Sequence, residues 1–439
     1  MKFTKFGKAL LMSALSVGVV LGVTSCIQSY TVGFLFVTGT VTAQTTSNGI
    51  ISGFKIDHNT GRLQRIAGLP ISSGGANPVR AVLTTGSRFL YVLNRGINAS
   101  GGADCTTDKP CQNSNITEFA VGGNGILTPQ MTFYPVGINP TRLIGDTSGN
   151  FILVLDHDSP SSAACALALG SSVTACGDVE VWKIDQTTGR LTLVVNAQVT
   201  SANGRPLAYF PIPANPIDFV LAPGFIVTLS GTPETGNSVF PYTYTASNGQ
   251  LTLNQNNSQP LGISQATAIV DAGGVLYVLD NEAPNPNPTA ASSQILAFTV
   301  GSNGALQAEV SGIVPDEPTQ ANPIYMIQEA KGKYIYVANQ GNNVQGQNAQ
   351  SGIAGFNVFN SPSFQLVPTT PAAFGTGAGP QCIVEDPSGQ FVYTANFNDS
   401  TVTGSYVDVN SGLLHPLRVA TTYAVNGPPT WCLVDGRTG

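Results

Sequence analysis

His157 lies between Asp156 and Asp158, and it is the histidine of this chain best placed for chemistry. An imidazole flanked by carboxylates could serve as a general base or as a metal ligand; the competing reading is an ordinary exposed loop histidine. A second group is a nearly regular set of small polar residues, Asn94, Asp156, Ser230, Asp280, Asn339 and Asn396, with Gly39 in the seventh place. Each follows an aromatic and β-branched run. If those runs surround a channel, the set rings its mouth, although Asx residues at strand ends also make local backbone hydrogen bonds. Seven cysteines complete the reactive inventory. Cys105 with Cys111 and Cys165 with Cys176 read as two loop-stapling disulfides, with metal binding as the alternative; no histidine stands beside either pair at ligand-like spacing, and no metal site is expected. Cys382 and Cys432 are either bonded or buried as free thiols. The sequence holds no Gly-x-Ser-x-Gly elbow, His-Glu-x-x-His, P-loop or Asp-rich calcium loop, so no cofactor is expected.

The elements that position these residues repeat. Seven copies of one strand can be read: Phe34-Leu-Phe-Val, Phe89-Leu-Tyr-Val, Phe151-Ile-Leu-Val, Phe225-Ile-Val-Thr, Val275-Leu-Tyr-Val, Tyr334-Ile-Tyr-Val and Phe391-Val-Tyr-Thr. Most are preceded by a short apolar strand opening on Asn77-Pro78, Asn139-Pro140, Asn215-Pro216, Asn322-Pro323 or Gly379-Pro380, and the last pair is joined by the turn Asp386-Pro-Ser-Gly389. An alternating strand follows each copy, then a Gly-x-Leu strand, as in Gly61-Arg-Leu63 and Gly189-Arg-Leu191. Four strands per unit, repeated seven times, predict an all-β, seven-bladed β-propeller. Pro429 to Gly439 reads as the first strand and turn of a unit and Phe34 as the second strand, so the C-terminal strand is expected to close the ring by pairing into the N-terminal blade.

The loops between second and third strands are long at 95–115, 157–178, 281–293 and 340–352, and their shared place in the repeat puts them on one face. Long loops on one end of a rigid scaffold are the usual place for binding, so an unknown protein or carbohydrate-like ligand is expected there; neutral insertion is the bland alternative.

Residues 1–25 read as a targeting segment: Lys2, Lys5 and Lys8, an apolar stretch too short to span a bilayer, and small residues before Cys26. The pattern resembles a bacterial lipoprotein signal. It implies lipidation at Cys26, a tether over 26–33, a propeller over 34–439, and anchoring in the cell envelope, with Ile27 pointing to the outer membrane. Charged residues are only 10% of the chain, and a net charge of −6 gives no basic footprint, so nucleic acid is not an expected partner. One closed monomeric domain, touching membrane only through the lipid, is the expected organisation.

The pattern Asn/Gly-Pro, Asp-Pro-Ser-Gly, Phe/Tyr-x-Tyr-Val-x-Asn resembles the lactonase-type seven-bladed propellers, a group that includes bacterial 6-phosphogluconolactonases and surface proteins with Tyr-Val-Thr-Asn repeats. Enzymatic members carry histidine just after the proline of an innermost strand, and a Pro-Arg-His run with a nearby Asn-Glu. The corresponding places here read Pro78-Val-Arg80, Pro140-Thr-Arg142, Pro216-Ile-Asp218, Pro323-Ile-Tyr325 and Pro380-Gln-Cys382, with Asn281-Glu282 one residue out of register. Three functions are therefore weighed. The leading expectation is a non-enzymatic lipoprotein that binds a ligand through its loop face. The alternative is a lactonase in which Arg80, Arg142, His157 and Glu282 bind an acidic sugar lactone and activate water. A structural envelope component is the third.

Overall fold

The aromatic and β-branched runs form strands whose two faces are both buried, because each is covered by a neighbouring strand pair on either side. The computed structural model describes residues 30–41, 48–84, 86, 88–201, 203–253, 258–281, 293–302, 304–308, 322–341, 351–359 and 365–436. The targeting segment, Cys26 and Glu282 lie outside the described residues. Seven antiparallel sheets stand around a central axis. In blades 2 to 7 the innermost and second strands are Pro78–Leu83 with Phe89–Asn94, Ile138–Gly145 with Phe151–Asp158, Pro216–Ala222 with Phe225–Thr232, Ala266–Ala272 with Val275–Asp280, Pro323–Gln328 with Tyr334–Asn339, and Pro380–Glu385 with Phe391–Asn396. Blade 1 is built from both ends of the chain: Pro429–Asp435 lies innermost and pairs with Thr31–Gly39, Trp431 opposite Thr38 and Val434 opposite Leu35. The expected fold and its closure are thus observed. Among the described residues no helix is long and apolar enough to cross a membrane.

A repeated contact explains the motif. The Gly-x-Leu glycines have positive φ, and a Cβ added at each would strike the first aromatic ring of the preceding blade's second strand. Gly61 meets Phe391, Gly125 meets Phe34, Gly189 meets Phe89, Gly249 meets Phe151, Gly304 meets Phe225 and Gly412 meets Tyr334. The tyrosine two residues further along donates its hydroxyl to that same glycine's carbonyl: Tyr91 to Gly189 at 2.5 Å, Tyr336 to Gly412 at 2.9 Å and Tyr393 to Gly61 at 2.6 Å. Each Phe-x-Tyr run therefore locks its blade to the next one, and the glycine is selected by the ring that covers it.

The Asn-Pro pairs shape the inner wall. Asn77, Asn139, Asn215 and Asn322 all adopt left-handed backbone, with φ between 53° and 60°. Asparagine tolerates this conformation better than most residues, and a following proline disfavours the right-handed alternative. After the proline each strand slips register by one residue against its partner, as between Pro78 and Arg80 and between Pro216 and Asp218. These bulges set the aim of the second residue after the proline.

Glu118 on the third strand of blade 2 is completely buried, has no hydrogen-bond partner, and packs against Gly189. Burial pushes its carboxyl from 4.5 up to about 7. With the folded value raised, the unfolded chain gives up this proton first. Glu118 should therefore make stability fall as pH rises from about 4.5 to about 7, with no further loss above that. Glu118→Gln should flatten this slope and raise stability at neutral pH by about 1–2 kcal/mol, measured by urea unfolding across that range. An unchanged slope in the variant would mean that Glu118 ionises freely in the fold.

Candidate active site in the central channel

The bulged innermost strands turn the second residue after the proline toward the next blade, and all of these but the disulfide-bonded Cys382 reach the channel. A cavity of about 630 Å³ runs down the channel, with Arg80, Arg142, Asp218, Tyr325 and Trp431 among its lining. These five form most of a ring. Trp431 of blade 1 lies under the Arg80 guanidinium, 3.8 Å from ring centroid to Cζ. Tyr325 of blade 6 meets Trp431 edge-on at 4.8 Å. Arg142 donates Nε to Asp218 Oδ1 at 3.1 Å, while Asp218 also accepts the amides of Phe219 at 2.9 Å and Ile269 at 3.2 Å. Each arginine donates Nη1 to the carbonyl of its own bulge residue, Val79 or Thr141, both at 3.1 Å.

Electrostatically this end of the channel is cationic. Burial, then the neighbouring Arg142, lower the Arg80 pKa to about 9. Arg142 keeps 22% of its side chain exposed, and its Nη2, unlike Nε and Nη1, has no partner among the described residues, which leaves it to meet a ligand. The opposite end of the cavity carries Asp271 and Glu385, and burial raises the Glu385 carboxyl to about 7. Arginines in a closed channel are suited to a carboxylate, a phosphate or the developing oxyanion of an ester, and an indole and a phenol beside them suit a sugar-sized ring.

Residues 291–431 match the family profile described as Lactonase, 7-bladed beta-propeller. Among solved structures, a candidate 6-phosphogluconolactonase of Bacteroides fragilis superposes with a TM-score of 0.65 at 14% identity, over 94% of this chain and 99% of its own. The periplasmic gluconolactonase of Pseudomonas aeruginosa gives 0.65 at 18% identity, over 93% and 99%. The chain carries the same seven-bladed β-propeller fold as these proteins. No curated protein sequence matches it.

In this propeller Arg80 and Arg142 line one channel, as the alternative reading required, but His157 does not join them. Its Nδ1 lies 3.0 Å from Asp158 Oδ2 at the loop end of blade 3, outside the cavity lining. Asp158 instead ties down a loop, accepting from Asn139 Nδ2 at 2.6 Å and Thr107 Oγ1 at 2.8 Å. Asn139 Oδ1 in turn accepts the Cys111 amide at 2.7 Å, and Arg95 donates to the Cys105 carbonyl at 3.3 Å. The first stapled loop is therefore docked over the start of the strand that carries Arg142. Asp218, Tyr325 and Trp431 are the members of the site that were not singled out from sequence. Their signal was present, since each is the second residue after an innermost-strand proline.

The polar set does not ring the channel mouth. Asn94, Asp156, Ser230, Asp280, Asn339 and Asn396 sit one strand out from the wall, each at most 4% exposed, and none lines the cavity. Second strands pair with innermost strands on one edge and third strands on the other, so their ends are enclosed within the blades. Asn94 shows the structural use of the position: its amide donates to Ser73 O, Asn115 Oδ1 and Thr117 Oγ1.

The disulfides expected in the loops are present, Cys105 to Cys111 and Cys165 to Cys176, and the second loop contains a short helix, Ser162–Leu169, capped by Ser161. Cys382 is also bonded to Cys432, with Cα atoms 5.9 Å apart. Cys382 pairs with Ala395, whereas Cys432 pairs one place further along, with Val37 rather than Thr38. That single-residue offset turns the two side chains to opposite faces of equivalent strands. Opposite faces of neighbouring blades look at each other, so the offset is what lets the bond form.

At the loop end of blade 3, Asp156, Asp178 and Glu180 come together with carboxylate oxygens within 4.8 Å of one another, all fully buried. Burial and then the Glu180 charge hold Asp156 and Asp178 well above the usual carboxylate range. Burial raises Glu180 to about 7 despite its three hydrogen-bond donors.

Proposed function

We propose that this protein is a lactonase that opens a sugar-type lactone in the central channel. One observation carries the reading: the bulged strands bring Arg80, Arg142, Asp218, Tyr325 and Trp431 into one cavity of about 630 Å³, a volume suited to a small polyhydroxylated ring. In this reading the lactone lies against Trp431 and Tyr325, and the arginines polarise its carbonyl and stabilise the oxyanion formed when water attacks. Asp218, held by Arg142 and two backbone amides, orients that water. The attacking water gives up one proton to solvent as it adds; the oxyanion then collapses, the ring C–O bond breaks, and the leaving oxygen takes up a proton, so the product is the open-chain hydroxy acid. The similarity of fold to gluconolactonases supports the substrate class.

The same ring suits capture of an acidic sugar without turnover, the binding role expected from sequence, because its charges are already paired and preorganised. Hydrolysis of gluconolactone and 6-phosphogluconolactone by purified protein, followed by acid release, separates the two. Turnover above the spontaneous rate that is lost in Trp431→Ala supports the lactonase. Saturable binding of gluconate with no turnover favours the binding role, and neither result would leave the channel as a purely structural feature.

We place the protein in the cell envelope, tethered through Cys26. Three disulfides fit an oxidising compartment. Gly33 lies against Pro387 of the Asp386-Pro-Ser-Gly turn, so the described chain starts at the hairpin face. A tether there would point the stapled loops and the cationic channel mouth away from the bilayer.

A further inference from the structure

The three carboxylates of blade 3 are not needed for channel chemistry, and they lie in the wall between blades 2 and 3. Asp156 and Asp178 are direct cross-strand partners, and Glu180 is two residues further along the same face, opposite Val154. Glu180 is fixed: its Oε1 accepts the amides of Val136 and Gly137, the latter at 2.6 Å, and its Oε2 accepts the Trp182 indole N–H at 2.9 Å. All four oxygens of Asp156 and Asp178 are buried, and no donor from any other described residue reaches them; the two carboxyls face only each other. Orphaned carboxylate oxygens in a dry wall carry a large desolvation penalty unless something positive sits among them.

The repeat supplies its own control. The same three positions in blade 2 are Asn94, Asn115 and Thr117, and in blade 7 they are Asn396, Thr401 and Thr403. There the asparagine amide donates to the other two members: Asn94 Nδ2 lies 3.0 Å from Asn115 Oδ1 and 3.3 Å from Thr117 Oγ1. Asn396 Nδ2 lies 3.1 Å from Thr401 Oγ1 and 2.9 Å from Thr403 Oγ1. A donor at the centre of acceptors is thus how this site is satisfied in blades 2 and 7. Blade 3 replaces every member with an acid and removes the donor, while keeping the geometry.

We propose that Asp156, Asp178 and Glu180 hold a divalent, oxygen-ligating cation, which takes the place of the missing donor and joins blade 2 to blade 3. The ligand set holds oxygen alone, which excludes a preference for soft metals, and a dry site with few waters fits Ca²⁺ better than the strongly hydrated Mg²⁺. Asp156 and Asp178 provide the open oxygens, and Glu180, held in place by three donors with Oε2 accepting only one of them, completes the charge of the site. The site lies directly below the second stapled loop, where Ser159 donates its amide to the Cys176 carbonyl at 2.8 Å. Bound cation would therefore also fix the base of that loop.

The test uses the full mature protein stripped with EDTA. Addition of CaCl₂ should raise its melting temperature by several degrees with a stoichiometry of one. Tb³⁺ should bind in competition with Ca²⁺ and give luminescence sensitised by Trp182, whose indole bonds directly to Glu180. Trp182→Phe should cut that emission several-fold while preserving the Ca²⁺-dependent shift. Asp156→Asn/Asp178→Asn, which restores the blade 2 chemistry, should abolish both responses and melt no lower than the stripped wild-type protein. A melting temperature indifferent to Ca²⁺, with no sensitised Tb³⁺ emission, would overturn the proposal and leave a carboxyl pair sharing protons. A Ca²⁺ response that survives in the double variant would overturn it equally, by placing the cation elsewhere.

Discussion

Arg142→Ala should lower kcat/KM for a sugar lactone by about 10²–10³-fold, the usual cost of removing one preorganised oxyanion donor. The substitution takes away a guanidinium whose Nε holds Asp218 at 3.1 Å, so it also frees the carboxylate proposed to orient water. Both losses are felt in the transition state, so kcat should fall more than KM rises. Arg142→Lys should recover little, because a single ammonium cannot contact Asp218, the Thr141 carbonyl and a ligand oxygen in one plane. The fold should survive, since Arg142 points into the channel and the hydrophobic clusters between blades do not include it. Steady-state kinetics by acid release, with melting temperature as the control, decides the matter. Equal turnover by Arg142→Ala and wild type, both folded, would remove the channel from the reaction.

The architecture was legible because its determinants are local and repeated. A Phe-x-Tyr run needs a glycine in the next blade, and both were visible as motifs before it was clear that Phe89 covers Gly189 and Tyr91 bonds to it. Closure was legible for a similar reason: Thr430-Trp-Cys-Leu-Val has the pattern of an innermost strand and Phe34-Leu-Phe-Val that of a second strand, and the two pair. The site was only half legible. Arg80 and Arg142 stood out by charge, but Asp218 and Tyr325, at the same repeat position, did not, because the bulge that aims this position at the axis is a register shift and leaves no composition signal. Trp431 was read only as part of the closing strand. Asp156 reads from sequence as one of the polar set at the channel mouth; its cross-strand partner Asp178 lies beyond a long loop, and a pairing across such a loop cannot be counted from sequence. The helix Ser162–Leu169 is rich in alanine and leucine behind a serine cap, but Cys165 within it and Cys176 beyond it suggest an irregular stapled loop instead.

Removing Pro429 to Gly439 should have the largest effect on stability of any change considered, because it opens the ring. The deletion exposes the inner edge of Thr31–Gly39, which pairs with the closing strand from Phe34 opposite Asp435 to Gly39 opposite Pro429. It also removes Trp431, Cys432 and Leu433 from a cluster that spans blades 1, 2 and 7, and breaks the disulfide that joins blade 7 to blade 1. Burial of two large apolar side chains and a half-cystine is worth about 5 kcal/mol, and loss of the cross-link adds about 2–4 kcal/mol. Together these approach the whole net stability of an ordinary domain, about 5–15 kcal/mol. The truncated chain should therefore either fail to fold or unfold at a midpoint lower by more than about 10 °C, and its bare strand edge should drive association. A single Cys432→Ser substitution should cost much less, since the strand stays in place. The discriminating result comes from adding a synthetic peptide spanning Pro429 to Asp435 to the truncated protein. If the strand closes the ring by edge pairing, the peptide should restore cooperative unfolding and a monomeric state. Cooperative unfolding of the truncated protein at the wild-type midpoint would show that the other six blades hold the ring without it, and that the interblade locks formed by Phe391 on Gly61 and Tyr393 to Gly61 suffice to join blade 7 to blade 1.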